Sequence, residues 1–234
     1  MQAVIPAAGE GTRLEELTNE QPKVLVEVAG KPLMQYAFET VIDVGAEELV
    51  VIIGYRGEQV IEHFGDSFDG VPITYVHQRK REGLAHAISL AKPHVDGQFI
   101  VQNGDNIIRS DLERVVEAAT EHAGALLVEG VTQEEASRTG VVTTEDGLVT
   151  GVVEKPVDPP STIATTGFFV LPEVAFHACA LVRPGETGER ELSHAIDLLA
   201  SAGHSIVPVP VDGWRANVNT QEDINRVEQL IDAE

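Results

Sequence analysis

Ala3-Val4-Ile5-Pro6-Ala7-Ala8 opens the chain and runs directly into Gly9-Glu10-Gly11-Thr12-Arg13-Leu14. A short apolar run of this kind is the pattern of a buried strand, and the break into glycine marks its end. Glycines placed there let the backbone turn tightly and bring bare N–H groups up to a ligand. Arg13, and then Lys23 in Gln21-Pro22-Lys23, add fixed positive charge suited to polyphosphate oxygens. The segment continues to Gly30-Lys31-Pro32-Leu33, and the whole reads as a cradle for a triphosphate. It is neither of the two commonest glycine-rich phosphate loops. The third glycine of a dinucleotide fingerprint is replaced by Leu14, and no Gly-Lys-Ser/Thr of a P-loop occurs.

Outward from this stretch, strands and helices alternate. Residues 33–44 carry apolar side chains at Leu33, Tyr36, Ala37, Val41 and Val44, which predicts a helix closed by Gly45. Leu49-Val50-Val51-Ile52-Ile53 has the continuous β-branched character of a strand buried on both faces. A short helix over 57–64 and a strand at Ile73-Thr74-Tyr75-Val76 follow, then a polar loop feeding a helix to about Ala91. Strands are predicted at 98–102, 125–129 and 206–211, where Pro208 and Pro210 favour an edge position. Helices are predicted at 112–123, 172–181, 191–202 and 220–230, the last capped by Thr220 with Asp223 in the capping-box position. Such alternation with short connections predicts one α/β domain over 1–234, a Rossmann-like three-layer sandwich around a mostly parallel mixed sheet.

The charge is lopsided, with 38 acidic against 16 basic residues and a net of −22. Such a surface repels nucleic acid and anionic lipid, which argues against both as partners. It also repels polyphosphate, unless the site is locally basic and salt screens the rest, as it does within about 3 Å at molar ionic strength. The acidic, lysine-poor balance resembles a halophile's protein. The longest apolar run is far too short for a membrane span, and the start lacks the positive region of a signal peptide. A single cysteine, Cys179, fits a reducing cytoplasm and a packing role.

Ala7-Ala8-Gly9-Glu10-Gly11-Thr12-Arg13-Leu14 followed by Pro22-Lys23 resembles the signature of the sugar-phosphate nucleotidyltransferases, with later motifs extending the likeness over essentially the whole chain. Short archaeal glucose-1-phosphate uridylyl- and thymidylyltransferases are the most similar in look. The resemblance implies Arg13, Lys23 and Asp105 as catalytic residues. Ala7, Ala8, Gly9, Gly11, Thr12 and Arg13 would meet the nucleotide, with Gln78 and Gly83 at the pyrimidine edge. Gly140, Glu154, Lys155 and Thr166 would hold the sugar 1-phosphate. Glu154 accepts from hydroxyls and Lys155 neutralises phosphate.

Asp105 has independent support. It follows the strand at 98–102, at the carboxyl end where ligands of open α/β sheets collect, and Ser110-Asp111 is available to cap the next helix in its place. By resemblance it is a Mg²⁺ ligand. The second ligand is less direct, because relatives carry Asp where this chain has Asn217, with Asn219 two residues on. On a strand both would point to one face, so either amide is a candidate. The implied reaction transfers a nucleoside monophosphate from UTP or dTTP to glucose 1-phosphate. GTP with mannose 1-phosphate, or a regulator that binds sugar nucleotide without turnover, are the alternatives.

Overall fold

The computed structural model describes residues 1–9, 18, 21–185 and 188–233. In chain order the elements are β1 (Gln2–Ala7), β2 (Glu27–Val28), β3 (Lys31–Pro32), α1 (Leu33–Asp43), β4 (Glu48–Ile53), α2 (Gly57–Phe64), β5 (Ser67–Phe68), β6 (Val71–His77) and α3 (Leu84–Ser89). They continue with β7 (Phe99–Gln102), β8 (Asn106–Arg109), α4 (Glu113–Glu121), β9 (Gly124–Gly130), α5 (Gln133–Ala136), β10 (Gly140–Glu145) and β11 (Leu148–Glu154). The last are β12 (Ile163–Leu171), α6 (Ala175–Leu181), α7 (Leu192–Ser201), β13 (Ile206–Pro210), β14 (Trp214–Asn217) and α8 (Gln221–Asp232).

Ten of these strands form one mixed sheet. Its centre is parallel, in the spatial order β7-β1-β4-β6. With β1 as reference, β4, β6, β7, β9, β10 and β13 run the same way, and β5, β11 and β12 run against it. The alternation seen in sequence therefore builds the expected mostly parallel sheet. Chain order advances from β1 to β4 and β6 on one side, then jumps back to β7 on the other. That reversal beside β1 opens a crevice at the carboxyl ends of the strands, where such sheets bind ligands.

Side chains of the central strands alternate between two cores. Val50 and Ile52 of β4 pack with α3, α6 and α7, while Leu49, Val51 and Ile53 pack with α1, α2 and α4 on the opposite face. Both faces are covered, which is why the sequence there is apolar without interruption. Phe99 stacks on Phe176 of α6 with ring centroids 4.4 Å apart, and each fully buried aromatic contributes roughly 1.5–3 kcal/mol. Cys179 lies in this core, and burial pushes its thiol up to about 12, so it packs and does not react. A third cluster joins Leu33, Tyr36 and Ile107 to Val218, Ile224 and Val227, and so seats α8 beside β8 and β14. No helix among the described residues is long and apolar enough to cross a membrane.

Two local expectations need correction. Ser110-Asp111 does not cap α4 with its own side chains. Both residues are tied instead to Asp212, which accepts from the Asp111 backbone N–H at 2.9 Å, the Ser110 hydroxyl at 2.6 Å and Arg114 at 3.1 Å. These bonds hold the Asp212 carboxyl down to about 2, the Ser110 hydroxyl contributing most. Thr166-Gly167 lies inside β12, where the register to β9 slips between Thr165 and Phe169. Finally β14 ends at Asn217, so Asn219 is off the strand and the two asparagines do not share a face. The edge position of β13, paired with β9, is as expected for its prolines.

Candidate active site

Three strand ends meet at the crevice. The chain after β1 gives Ala8 and Gly9, that after β6 gives Gln78, and the turn after β7 gives Asn103 to Asn106. Lys23 enters on a short 3-10 turn, Lys23–Leu25, behind Pro22. Gly11, Thr12 and Arg13, together with Glu10, lie outside the described residues.

The Lys23 ammonium donates to Asp105 Oδ2 at 2.7 Å and to Asn219 Oδ1 at 2.8 Å, although these partners are 82 and 196 residues away in the chain. Lys23 is only 7% exposed, so its charge is held by these oxygens and not by water. Backbone bonds set each partner. Gly104 N–H donates to the Pro6 carbonyl at 3.3 Å, and Val218 N–H to the Asp105 carbonyl at 3.1 Å. Asn219 N–H and Thr220 N–H both donate to Asp223 Oδ2 at 2.8 Å, and Asp223 N–H donates to the Thr220 hydroxyl at 3.2 Å. The capping box expected from sequence at α8 thus also fixes the asparagine that faces Lys23.

Two oxygens converging on one cationic centre suit a hard cation as well as an ammonium. One carboxylate and one amide oxygen are the modest protein share expected when phosphates and waters complete the shell. No group of three or more carboxylate, His or Cys side chains able to hold a metal occurs among the described residues. Asn217 is elsewhere: it faces Asn106 in the β14–β8 ladder and lines a different cavity.

On one side of the 103–106 turn is a cleft of about 510 Å³ lined by Pro6, Ala8, Gly9, Gln78, Gly83 and Asp105, with Arg81 and Glu189 at its walls. Gln78, 6% exposed, donates from Nε2 to the Gly83 carbonyl at 3.1 Å and meets His86 Nδ1 at 3.0 Å. A carbonyl only accepts, so the amide nitrogen must face Gly83. Gly83 has φ +98, and a Cβ there would stand 2.5 Å from the Arg190 backbone nitrogen. Arg190 in turn donates its N–H to the Glu82 carbonyl at 2.7 Å and accepts from Ala85 N–H at 2.9 Å. The glycine expected for close approach of a ligand is thus required by the approach of the protein's own backbone. Nothing in sequence pairs residue 83 with residue 190.

On the other side is a cavity of about 160 Å³. Gly140, Glu154 and Thr166 come together in its lining, joined by Asn103, Asn106, Glu191, Ser193, Arg215 and Asn217, which sequence did not single out for it. A Cβ on Gly140 would lie 3.1 Å from Thr165 Oγ1 and 3.3 Å from Glu154 Oε2, so the bare glycine keeps this corner open. Lys155 is exposed, has a left-handed backbone at φ +42, and pairs with Glu154 Oε1 at 3.2 Å. Thr166 commits its hydroxyl to the Leu127 carbonyl at 2.9 Å, and its own carbonyl accepts from Asn106 Nδ2 at 2.8 Å. It therefore shapes the wall of the cavity. Burial, with the Glu154 carboxylate beside it, raises Glu191 above the usual carboxylate range. Arg215 pairs with Glu129.

Buried Lys23 is thus held by half-buried Asp105 and Asn219, and Asp105 lines the large cleft, which shares Leu84 with the small cavity. A profile of the family described as nucleotidyl transferase matches residues 2–233. The chain belongs to the nucleotidyl transferase family. It is 47% identical over its full length, and over 98% of the other protein, to a UTP–glucose-1-phosphate uridylyltransferase, AglF, of Haloferax volcanii. It is 33% identical to a glucose-1-phosphate thymidylyltransferase of Streptomyces antibioticus, covering 97% of this chain and 65% of that one. Among solved structures, a UDP-glucose pyrophosphorylase complexed with UDP-glucose superposes with a TM-score of 0.90 at 25% identity, over 99% of this nucleotidyltransferase and 98% of that chain.

Proposed function

We propose that this nucleotidyltransferase transfers a uridylyl or thymidylyl group from UTP or dTTP to glucose 1-phosphate, releasing pyrophosphate. The observation that carries this reading is Lys23, bound to Asp105 and Asn219, with Asp105 lining the cleft. The cleft takes the nucleotide and the cavity takes the sugar, so the sugar phosphate arrives beside the α-phosphorus of the triphosphate. Its phosphate oxygen forms the new P–O bond as the bond to the β-phosphate oxygen breaks, and pyrophosphate carries that electron pair away. A phosphate monoester, with second pKa about 6, is already ionised near neutrality, so the reaction needs no general base. The residues act by position and charge.

Lys23 neutralises oxygen charge shared between the α-phosphate and the incoming phosphate, and Arg13 is assigned the leaving pyrophosphate. Asp105 with Asn219 would hold Mg²⁺, which supplies further neutralisation of phosphate oxygens when bound. Gln78 Oε1 accepts the imide N–H of uracil or thymine, while Glu154 and the Gly140 corner receive sugar hydroxyls. The test is pyrophosphate release from UTP and glucose 1-phosphate at molar KCl with magnesium. Lys23→Met should lower kcat/KM by roughly 10²–10³, the range for losing one transition-state donor. A loss below about threefold removes Lys23 from the mechanism.

A further inference from the structure

The backbone N–H of Gln78 donates to the Ile53 carbonyl of β4 at 2.8 Å, which ties the residue to the sheet and leaves the orientation of its amide to be set. Two groups meet that amide at Nε2: the Gly83 carbonyl at 3.1 Å and His86 Nδ1 at 3.0 Å. The Gly83 carbonyl also accepts the Ala87 N–H at 3.1 Å, and it has only lone pairs to offer, so the amide atom facing it is nitrogen. The same nitrogen turns its second N–H to His86. Nδ1 must therefore accept, which assigns His86 the neutral imidazole with its proton on Nε2. Both acceptors stand at the start of α3, and between them they use both hydrogens of the amide nitrogen. Turning the amide over would set oxygen against the Gly83 carbonyl and leave the His86 lone pair unmatched, so both bonds would be lost. Oε1 accepts from none of the described residues, and it is the end of this cleft-lining amide that a ligand can use.

We propose that His86 is a positioning residue for the choice of nucleobase: by accepting from Gln78 Nε2 it works with the Gly83 carbonyl to reserve the other end of the amide, Oε1, for the base. An amide held this way accepts from a pyrimidine that carries an imide N–H, as uracil and thymine do. It opposes cytosine, whose corresponding ring nitrogen is bare and also accepts. The inference deepens the proposed function and rests on it. His86 acts through Gln78 and not on the substrate, so its loss should appear in the UTP KM and in the preference between bases, and not in the chemical step.

The test uses the full chain at molar KCl with magnesium, glucose 1-phosphate and UTP, dTTP or CTP. His86→Leu and His86→Asn give side chains of nearly one shape, and only asparagine restores an acceptor where Nδ1 stood. In His86→Leu the UTP KM should rise and the preference for UTP over CTP should fall, each roughly three- to tenfold, the effect of one neutral hydrogen bond. The kcat with UTP and the KM for glucose 1-phosphate should stay within about twofold, the split of a group that contributes to binding alone. His86→Asn should keep the UTP KM and the base preference of wild type. Nitrogen NMR of the wild-type histidines should find His86 neutral with its proton on Nε2, and a proton on Nδ1 would overturn the assignment without recourse to any variant. An active wild type with His86→Leu unchanged in UTP KM and base preference would overturn the His86 role alone. Equal losses in His86→Leu and His86→Asn would overturn it too, assigning the ring to packing. Absence of turnover by wild type with every triphosphate would overturn both this role and the proposed function.

Discussion

Replacing Gly83 by alanine tests whether the loop beside Gln78 is held by the backbone of residue 190. Gly83 has φ +98 and ψ −178, a region essentially reserved for glycine, and forcing a side-chain-bearing residue there costs about 1–3 kcal/mol. The new Cβ would also stand 2.5 Å from Arg190 N and 2.6 Å from Arg190 O, both backbone atoms that cannot swing aside. Relief of such overpacking adds about 1–3 kcal/mol, for a total of about 2–6 kcal/mol. For a domain of this size each kcal/mol lowers the melting temperature by about 2–4 °C, so thermal unfolding followed by circular dichroism should show a fall of at least about 4 °C. Gly203→Ala is the control. Its φ of +86 is also positive, but nothing lies within 4 Å of its Cβ, so it carries backbone strain without the clash. Because the Gly83 carbonyl accepts from Gln78 Nε2, the UTP KM should rise in Gly83→Ala and not in Gly203→Ala. A Gly83 variant that melts no lower than the Gly203 variant would refute the argument from Arg190.

Thr220→Ala removes one side of the α8 capping box and should destabilise the fold by about 0.5–2 kcal/mol, read from urea unfolding, with a weaker hold on Asn219 seen as reduced kcat/KM. Asp212 has a folded-state pKa depressed from 3.8 to about 2, so its contribution is fully present above pH 3.8 and is lost as pH falls toward 2. Stability curves over that window should fall less steeply for Asp212→Asn than for wild type, and equal slopes would contradict the Ser110–Asp111–Arg114 network. With a net charge of −22, raising KCl from about 0.1 M to about 2 M should raise the melting temperature and turnover together, by screening self-repulsion and substrate repulsion. Full activity and an unchanged melting point in dilute buffer would oppose that.

Features written in local sequence were legible. The 49–53 run, the helix over 57–64 and the Thr220–Asp223 box depend on neighbours within a few positions, and the chain forms them where the pattern points. Lys23 and Asp105 were separately legible, each from its own strand-end context. Their contact with Asn219, and not Asn217, depends on where β14 stops, which no periodicity marks. Asp212 at the start of α4 shows the same limit. A serine and an aspartate stood in the right place to cap, yet both are held by a carboxylate about a hundred residues away. Thr166 was legible as a wall of the cavity but not as an interior strand residue, because a bulge has no composition of its own beyond Gly167. Ser193, Asn103 and Asn106 carried no motif. Their signal is an unmet hydrogen bond, which exists only once the chain is folded.

Leu84 borders the large cleft on one flank and the small cavity on the other, so a single aliphatic side chain is a partition between two compartments. Changing its bulk moves both boundaries at once, and the effects of mutations aimed separately at base choice and at hexose choice will not add when they converge on it. Retuning this catalyst for new products therefore requires varying the two halves jointly, with the residue at position 84 as the shared coordinate.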